Sequence, residues 1–481
     1  MTLSLDDIGA VLGQFNPWWR GERPSDLPAW KRAAWRELHQ WVAEPPARRA
    51  TFLSGARQVG KTTLLLQSVE QLLTDGVPAA NILYATFDHP ILKLAGIEKV
   101  LDAWRQREPR EAGPEFLFLD EAQFLPGWET WIKHQVDFFK QRRIVFTGSA
   151  MTLLDSKQES GVGRWHTIRL TTLSFSEYVQ IRNLKLPPLP EMSSLAKLFE
   201  YSQSGLARIR ETASSYVPHF HEYLIRGGFP QTALVESITQ AQRLLREDIV
   251  DKVLKRDMTA LFGVRHVIEL ERTFLYLCMH NGGVVDFSAL SSNLEVSRVT
   301  AQRFIELLEA THMIFRLHPF GYGKEVLRGR VKAYLADPAI GPSVMLRGRE
   351  ILEDATALGI ATETAVIKHL FTRYYSRQIR FSFWRGKKNE EVDLIAELGD
   401  DVIPFEVKYR SSKTGSRELR GLLELCRGRK IDKAYVVTKS VTDLGPWNDA
   451  PAGIATKIMF VPATLLCYWT GEPPSHLEDG V

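Results

Sequence analysis

The run Gly55-Ala56-Arg57-Gln58-Val59-Gly60-Lys61-Thr62-Thr63 has the spacing GxxxxGK[ST], the pattern of a loop that cradles phosphate. It directly follows the apolar segment 50–54 and opens the periodic stretch TTLLLQSVEQLL, so a strand and a helix flank it as that chemistry requires. Glycines let the loop turn its N–H groups inward around phosphate oxygens, and the helix N-terminus adds a favourable dipole. Lys61 would reach the β and γ phosphates of ATP and the Thr62 hydroxyl would ligate magnesium. Gly55, Gln58, Val59, Gly60, Lys61, Thr62 and Thr63 are therefore the expected nucleotide-binding residues. A plain glycine turn before a helix is the alternative, and a second motif argues against it.

That motif is Phe116-Leu117-Phe118-Leu119 followed by Asp120 and Glu121. Four apolar residues bury a strand and deliver two carboxylates to the carboxyl edge of a sheet, where ligands of such sheets bind. Asp120 would hold magnesium, and Glu121 would orient the attacking water, because phosphoryl transfer to water depends on positioning and charge stabilisation. The next strand, RRIVFTGSA, brings Ser149 to the same edge, suited to sensing the γ-phosphate. Transition-state charge also calls for an arginine. Arg164, before the strand HTIRL, is the first candidate and Arg226, in YLIRGGFP, the second; either could instead serve a surface ion pair.

The elements that must position these groups follow from punctuation and periodicity. After a tryptophan-rich opening (residues 1–46), Pro45 and Pro46 precede the first strand. Short β-rich runs at 82–87, 116–119, 144–146 and 167–170 alternate with helical stretches, which predicts an α/β fold with a parallel sheet over residues 47–183. A proline-rich break, LKLPPLPEM, opens a helical lid at 184–262. Residues 263–342 read as a long helix, a short VVDF run, two short helices and two strands around a basic loop, an order that suits a winged helix. Residues 343–481 close the chain as a third, α/β domain.

Composition bounds the rest. Lys plus Arg number 61 against 57 Asp plus Glu, so any nucleic-acid surface must be a local patch. The three cysteines, Cys278, Cys426 and Cys467, form no CxxC pair, which excludes a zinc ribbon and a disulfide framework. No apolar run approaches the roughly 20 residues of a membrane span, and the N-terminus has no signal-peptide pattern, so a cytoplasmic protein with no membrane partner is expected. His219 and His221, two apart on a helix, do not share a face and are not read as a metal site.

The order GARQVGKTTLL, FLDEAQ, WIKHQVDF, FTGSA, ESGVGR, LSFSEY and YLIRGGFP resembles the bacterial and archaeal AAA-type ATPases of unknown function that carry a winged helix and a C-terminal domain related to restriction endonucleases. The resemblance runs from about Asn16 to about Lys439. Two departures, Ala150 where a second serine is usual and Ala122 where isoleucine is usual, remove no catalytic group. The resemblance implies that Arg164 acts on the nucleotide of a neighbouring subunit, hence a homo-oligomer: a dimer or a ring, a hexameric ring among them.

Within the winged-helix stretch, Ser297 is a good N-cap for a helix whose Phe304, Leu307 and Leu308 face inward. Arg298, Thr300, Gln302 and Arg303 are left toward solvent, as a major-groove helix would present them. Lys324, Arg328, Arg330 and Lys332 follow, enough charge for a wing lying on DNA phosphates. A protein-contact module would look similar.

In VIPFEVKYR the period of two puts Glu406 and Lys408 on one face of a strand. Asp393 supplies a second carboxylate from a paired hairpin, and Glu363 lies on an apolar helix stripe, where a charge is costly unless it meets a metal or a donor. Together these residues resemble the helix-Glu, D, ExK set of restriction-type (PD-(D/E)xK) nucleases. That likeness implies that Glu363, Asp393 and Glu406 hold magnesium and that Lys408 orients water or stabilises the phosphate. Val392 stands where that pattern usually has proline.

Three functions follow as expectations. The first is a magnesium-dependent ATPase acting as an oligomeric motor or switch on DNA. The second is an ATP-gated nuclease cleaving through Asp393, Glu406 and Lys408. The third is a nucleotide-switched scaffold that binds nucleic acid or protein and cuts nothing.

Overall fold

The computed structural model describes residues 3–148, 163–258, 266–321, 330–375, 379–386, 390–412, 414–429, 431–451 and 453–471. The chain divides into two compact units. The first comprises the described residues of Met1–Leu170, Asp257–Gly263 and Ala310–His312; the second holds those of Thr171–Arg256, Val264–Glu309 and Met313–Val481. The helical stretch after the proline-rich break thus belongs to the second unit.

The first unit is built on a parallel sheet of β1 (Ala50–Ser54), β2 (Ile82–Thr86), β3 (Glu115–Asp120), β4 (Arg142–Gly148) and β5 (Trp165–Arg169), in the order β2-β3-β4-β1-β5. Every residue of β1 and β3 is buried, as strands covered on both faces require, and their sequences are accordingly near-continuous apolar runs. Helices Lys61–Thr74, Pro90–Arg107 and Trp128–Phe138 make the crossovers that parallel pairing needs. All five strands point the same way, so the loops after β1 and β3 emerge at one edge with β4 between them.

The opening tryptophans solve an edge problem. Strand β2 lies at the end of the sheet, where unpaired backbone groups invite foreign strands. Asn16 covers it by accepting from Tyr84 N at 2.7 Å and donating to Tyr84 O at 2.8 Å, while Trp18 and Trp19 both donate to Ile82 O, at 3.1 and 3.0 Å. The helix Leu5–Phe15, started by a Ser4–Asp7 capping box, adds Ile8, Val11 and Leu12 to the same core.

The second unit holds a mixed sheet of β6 (Ile314–Pro319), β7 (Lys332–Leu335), β8 (Arg380–Arg385), β9 (Glu391–Leu398), β10 (Asp401–Lys408), β11 (Lys433–Thr438), β12 (Gly445–Pro446) and β13 (Lys457–Pro462). Its order is β12-β13-β11-β10-β9-β8-β6-β7. The hairpin β6–β7 joins it through a parallel pairing of β6 with β8, His318 opposite Ser382, so strands on both sides of residue 342 belong to one sheet. Before the hairpin come helices Val267–Met279, Phe287–Leu294 and Arg298–Ala310, with Val284 bridging to Lys332. Ser297 caps the third helix by accepting from Thr300 N at 3.0 Å, and Phe304, Leu307 and Leu308 are buried. No helix among the described residues is long and apolar enough to cross a membrane.

Candidate functional site

The loop after β1 is shaped by residues that cannot easily be exchanged. A Cβ on Gly55 would fall 2.2 Å from the carbonyl oxygen of Leu170, so only glycine passes there. Gln58 and Gly60 take left-handed backbone angles, φ 58° and 96°, which fold the loop back onto the start of the helix Lys61–Thr74. Lys61 is 4% exposed, and its Nζ donates to Gly55 O and Ala56 O at 2.8 Å each. The same ammonium stands 4.0 Å from Glu121. Arg32, from the opening segment, braces the loop through Val59 O at 2.9 Å.

Asp120 ends β3 as a buried carboxylate with three hydroxyl donors: Thr62 Oγ1 at 2.7 Å, Tyr84 OH at 2.9 Å and Thr147 Oγ1. Burial and the neighbouring Glu121 charge push its carboxyl above the usual range, opposed by those hydrogen bonds. Glu121 follows in a left-handed conformation, φ 55°, and its N–H is fixed by Thr147 Oγ1 at 2.9 Å while Gln123 donates to its carboxylate. The Asp120 carboxylate and the Thr62 hydroxyl form an all-oxygen donor pair, and the adjacent Glu121 carboxylate adds negative charge, which fits a magnesium ion shared with substrate phosphates. Tyr84 and Thr147 are not legible as site residues from sequence. Their only signal is a polar side chain inside an otherwise apolar strand. Ser149 lies outside the described residues.

The two candidate arginines are placed differently. Arg164 precedes β5 and its carbonyl accepts from Ala50 N at 3.0 Å, which puts it at the amino edge of the sheet, one strand length, roughly 15 Å, from the phosphate loop. Its guanidinium is half-exposed and paired with Asp137 at 2.8 Å. It is therefore remote from the phosphate loop of its own chain. Arg226 is 1% exposed and commits its guanidinium to Val235 O, to Glu236 O at 2.8 Å and to Glu222 at 2.8 Å, clamping the turn beyond the helix Val217–Arg226. That geometry assigns it to packing within the second unit in place of the nucleotide role the sequence suggests.

In the second unit the sequence-derived carboxylates do converge. The hairpin register that sets Phe405 opposite Leu394 brings Asp393 beside β10, where its Oδ2 accepts from Val407 N at 2.8 Å. Glu406 is buried and ion-paired to Lys408, and its Oε2 is buried without a partner. Glu363, on the helix Ala355–Tyr374, accepts from Tyr334 OH at 2.6 Å. Burial and the charge of Asp393 push both Glu363 and Glu406 well above the carboxylate range.

Sequence reasoning misses the residue at the centre of this cluster. Lys332, expected on a phosphate-binding wing, is instead the first residue of β7 and 3% exposed. Its Nζ is ion-paired to Glu391 and lies 3.7 Å from Asp393 and 3.9 Å from Glu363. Strand β7 pairs with β6 and places the lysine inward, whereas Lys324 and Arg328 lie outside the described residues. With Lys332 there, these carboxylates already enclose a buried cation, and a magnesium ion bound among them would have to displace it.

The basic side chains gather elsewhere in the second unit. Arg298, at the start of the helix Arg298–Ala310, Arg330 before β7 and Arg385 at the end of β8 line a cavity of 510 Å³ together with Asp286, Phe287 and Ser288. Asp286 is engaged as an N-cap, donated to by Ser288 N and Ala289 N at 2.9 and 3.0 Å. Arg303 is partly neutralised by Glu306 at 3.2 Å. His221 donates to or accepts from Tyr409 OH at 2.8 Å.

Residues 47–179 match a family described as an AAA domain, and residues 217–350 and 358–454 match two families described as domains of unknown function. The first match covers the phosphate loop and the Asp120–Glu121 strand, so the first unit carries a P-loop domain of AAA type. Uncharacterized proteins are similar over most of the chain. One of Haemophilus influenzae is 26% identical over 373 residues, 74% of this chain and 82% of its own. One of Mycobacterium tuberculosis is 25% identical over 381 residues, 77% and 73%. Among solved structures, AMPPCP-bound DnaA from Aquifex aeolicus is 16% identical, covering 59% of this chain and 89% of its own at a TM-score of 0.26. Domain III of DnaA from Thermotoga maritima is 18% identical, covering 45% and 91% at 0.24.

Proposed function

We propose that this protein is a magnesium-dependent ATPase that binds DNA and works as a nucleotide-driven switch or motor in a homo-oligomer. The observation that carries the ATPase reading is the bond from Thr62 to Asp120 with Lys61 and Glu121 beside it, all at the carboxyl edge of one parallel sheet. On binding ATP, Lys61 exchanges two loop carbonyls for phosphate oxygens. Thr62 and Asp120 would hold the magnesium ion, which neutralises phosphate charge. Glu121, separated from Asp120 by its left-handed turn, orients and polarises the attacking water, with its backbone fixed by Thr147. Ser149 senses the γ-phosphate, and Arg164, remote from its own loop, supplies positive charge to a neighbouring subunit.

The DNA reading rests on Arg298, Arg330 and Arg385 around one cavity, beside a helix with an exposed N-terminal turn in a helix–helix–hairpin order that suits a winged helix. Three guanidiniums in one concavity match phosphate oxygens, which accept bidentate donors. ATP turnover measured with and without duplex DNA, alongside DNA affinity at several salt concentrations, tests this. DNA binding that does not weaken with salt, or turnover indifferent to DNA, would set it aside. The nuclease alternative requires a metal at Asp393 and Glu406, beside the Lys332 ammonium. That juxtaposition favours a C-terminal domain that contributes binding and not cleavage.

A further inference from the structure

We infer that the Lys332 ammonium is the resident cation of the Glu363–Glu391–Asp393 cluster, standing in for a divalent metal and keeping one out while it is in place. Four features carry this. Nearly all of the Lys332 side chain is buried, and burying an ammonium is costly unless carboxylates surround it. Three do, on two different elements: Glu363 from the helix Ala355–Tyr374, and Glu391 and Asp393 from β9. Lys332 Nζ donates to Tyr334 OH at 3.2 Å and Tyr334 OH donates to Glu363 at 2.6 Å, so the hydroxyl links the lysine to the helix carboxylate, which lies 3.9 Å from the ammonium. No group of three or more His, Cys, Asp or Glu side chains among the described residues is arranged to hold a metal ion.

Glu391 is the element that a D…ExK pattern does not account for. It sits two residues before Asp393 on the same face of β9, and it pairs with Lys332 directly. A metal site built from Asp393 and Glu406 has no need of it, whereas an ammonium site does. The lysine is held from β7 by the pairing Leu317 to Lys332 and the bridge from Val284, so its position is set by backbone and not by the carboxylates alone. This inference does not depend on the ATPase reading, since every residue in it lies in the second unit.

The test is Mn2+ binding by the full-length protein without nucleotide, followed by electron paramagnetic resonance and by the shift in Tm. Wild type should show no Mn2+ site that is lost on Asp393→Asn, and should leave supercoiled plasmid uncut in Mg2+ or Mn2+. Lys332→Ala and Lys332→Met should each gain one Mn2+ site and a metal-dependent rise in Tm, both removed by adding Asp393→Asn. Lys332→Arg, which keeps the charge, should gain none. An Asp393-dependent Mn2+ site or Asp393-dependent nicking in wild type would overturn the inference. So would a folded Lys332→Ala or Lys332→Met protein that gains no site. Should both variants fail to fold, the wild-type comparison with Asp393→Asn still decides. ATP turnover in the same preparations reads the phosphate-loop site separately.

Discussion

Ser54 Oγ, the last side chain of β1, lies 3.0 Å from Nε2 of His312, a residue 258 positions later in the chain that is held in a left-handed backbone conformation, φ 57°. The imidazole is buried beside the residue that precedes the phosphate loop, and burial together with the positive charges of Arg169 and Lys61 holds its pKa well below the ordinary histidine value. A neutral ring is therefore part of the floor of the nucleotide site.

This gives a pH dependence with a definite sign. The unfolded chain protonates His312 near pH 6.5 while the folded protein does not, so the stabilisation is complete above pH 6.5 and is lost as pH falls below it. The loss amounts to about 1.4 kcal/mol by pH 5.5. Hydrogen-exchange protection of the β1 amides should fall between pH 7.5 and 5.5 after correction for intrinsic exchange. His312→Asn, which tolerates the left-handed backbone, should flatten that fall. An unchanged pH profile in the variant would contradict the assignment.

Arg164 should act between subunits. Arg164→Ala and Lys61→Ala proteins should each be inactive alone, the first by a factor of about 10³ or more, as loss of a transition-state arginine implies. Mixed, they should recover part of the ATPase rate at junctions that join an intact Arg164 to an intact loop. A wild-type protein that remains monomeric with ATP and DNA while turning over at full rate would rule the arrangement out.

Binding to DNA should depend on three arginines and not on Lys332. Replacing Arg298, Arg330 and Arg385 with glutamate should weaken binding to every duplex sequence and lower the slope of log K against log salt by about 0.9 for each phosphate that is no longer neutralised. ATP turnover without DNA should be unchanged. Equal binding by the triple variant at physiological salt would move the DNA surface elsewhere.

The contrast between Lys332 and its neighbours marks what sequence can reveal. Gly55 to Thr63 and Asp120–Glu121 are legible because motif, strand and helix are contiguous, and local spacing alone implies their geometry. Glu406 and Lys408 are legible as one face of a strand by the period of two. Lys332 misleads because a lysine after a basic loop looks solvent-exposed, and only the pairing of β6 with β7 and β8 turns it inward. Strands β8 and β13 escape a reading by pattern; β8 is needed to carry Arg385 to the basic cavity. His312 has no local signal and Tyr84 only that of a polar group in an apolar strand, since each reaches the nucleotide site through tertiary packing over long separations.

The most direct test of the ATPase account compares Lys61→Ala with Glu121→Gln in paired ATP-binding and single-turnover measurements. Lys61 neutralises phosphate charge in the bound state, so its loss should abolish ATP binding. Glu121 acts on the attacking water, so Glu121→Gln should bind ATP with near wild-type affinity and hydrolyse it about 10² to 10⁴ times more slowly. Glu121→Gln turning over ATP at the wild-type rate, or Lys61→Ala binding ATP as tightly as wild type, would contradict this nucleotide site.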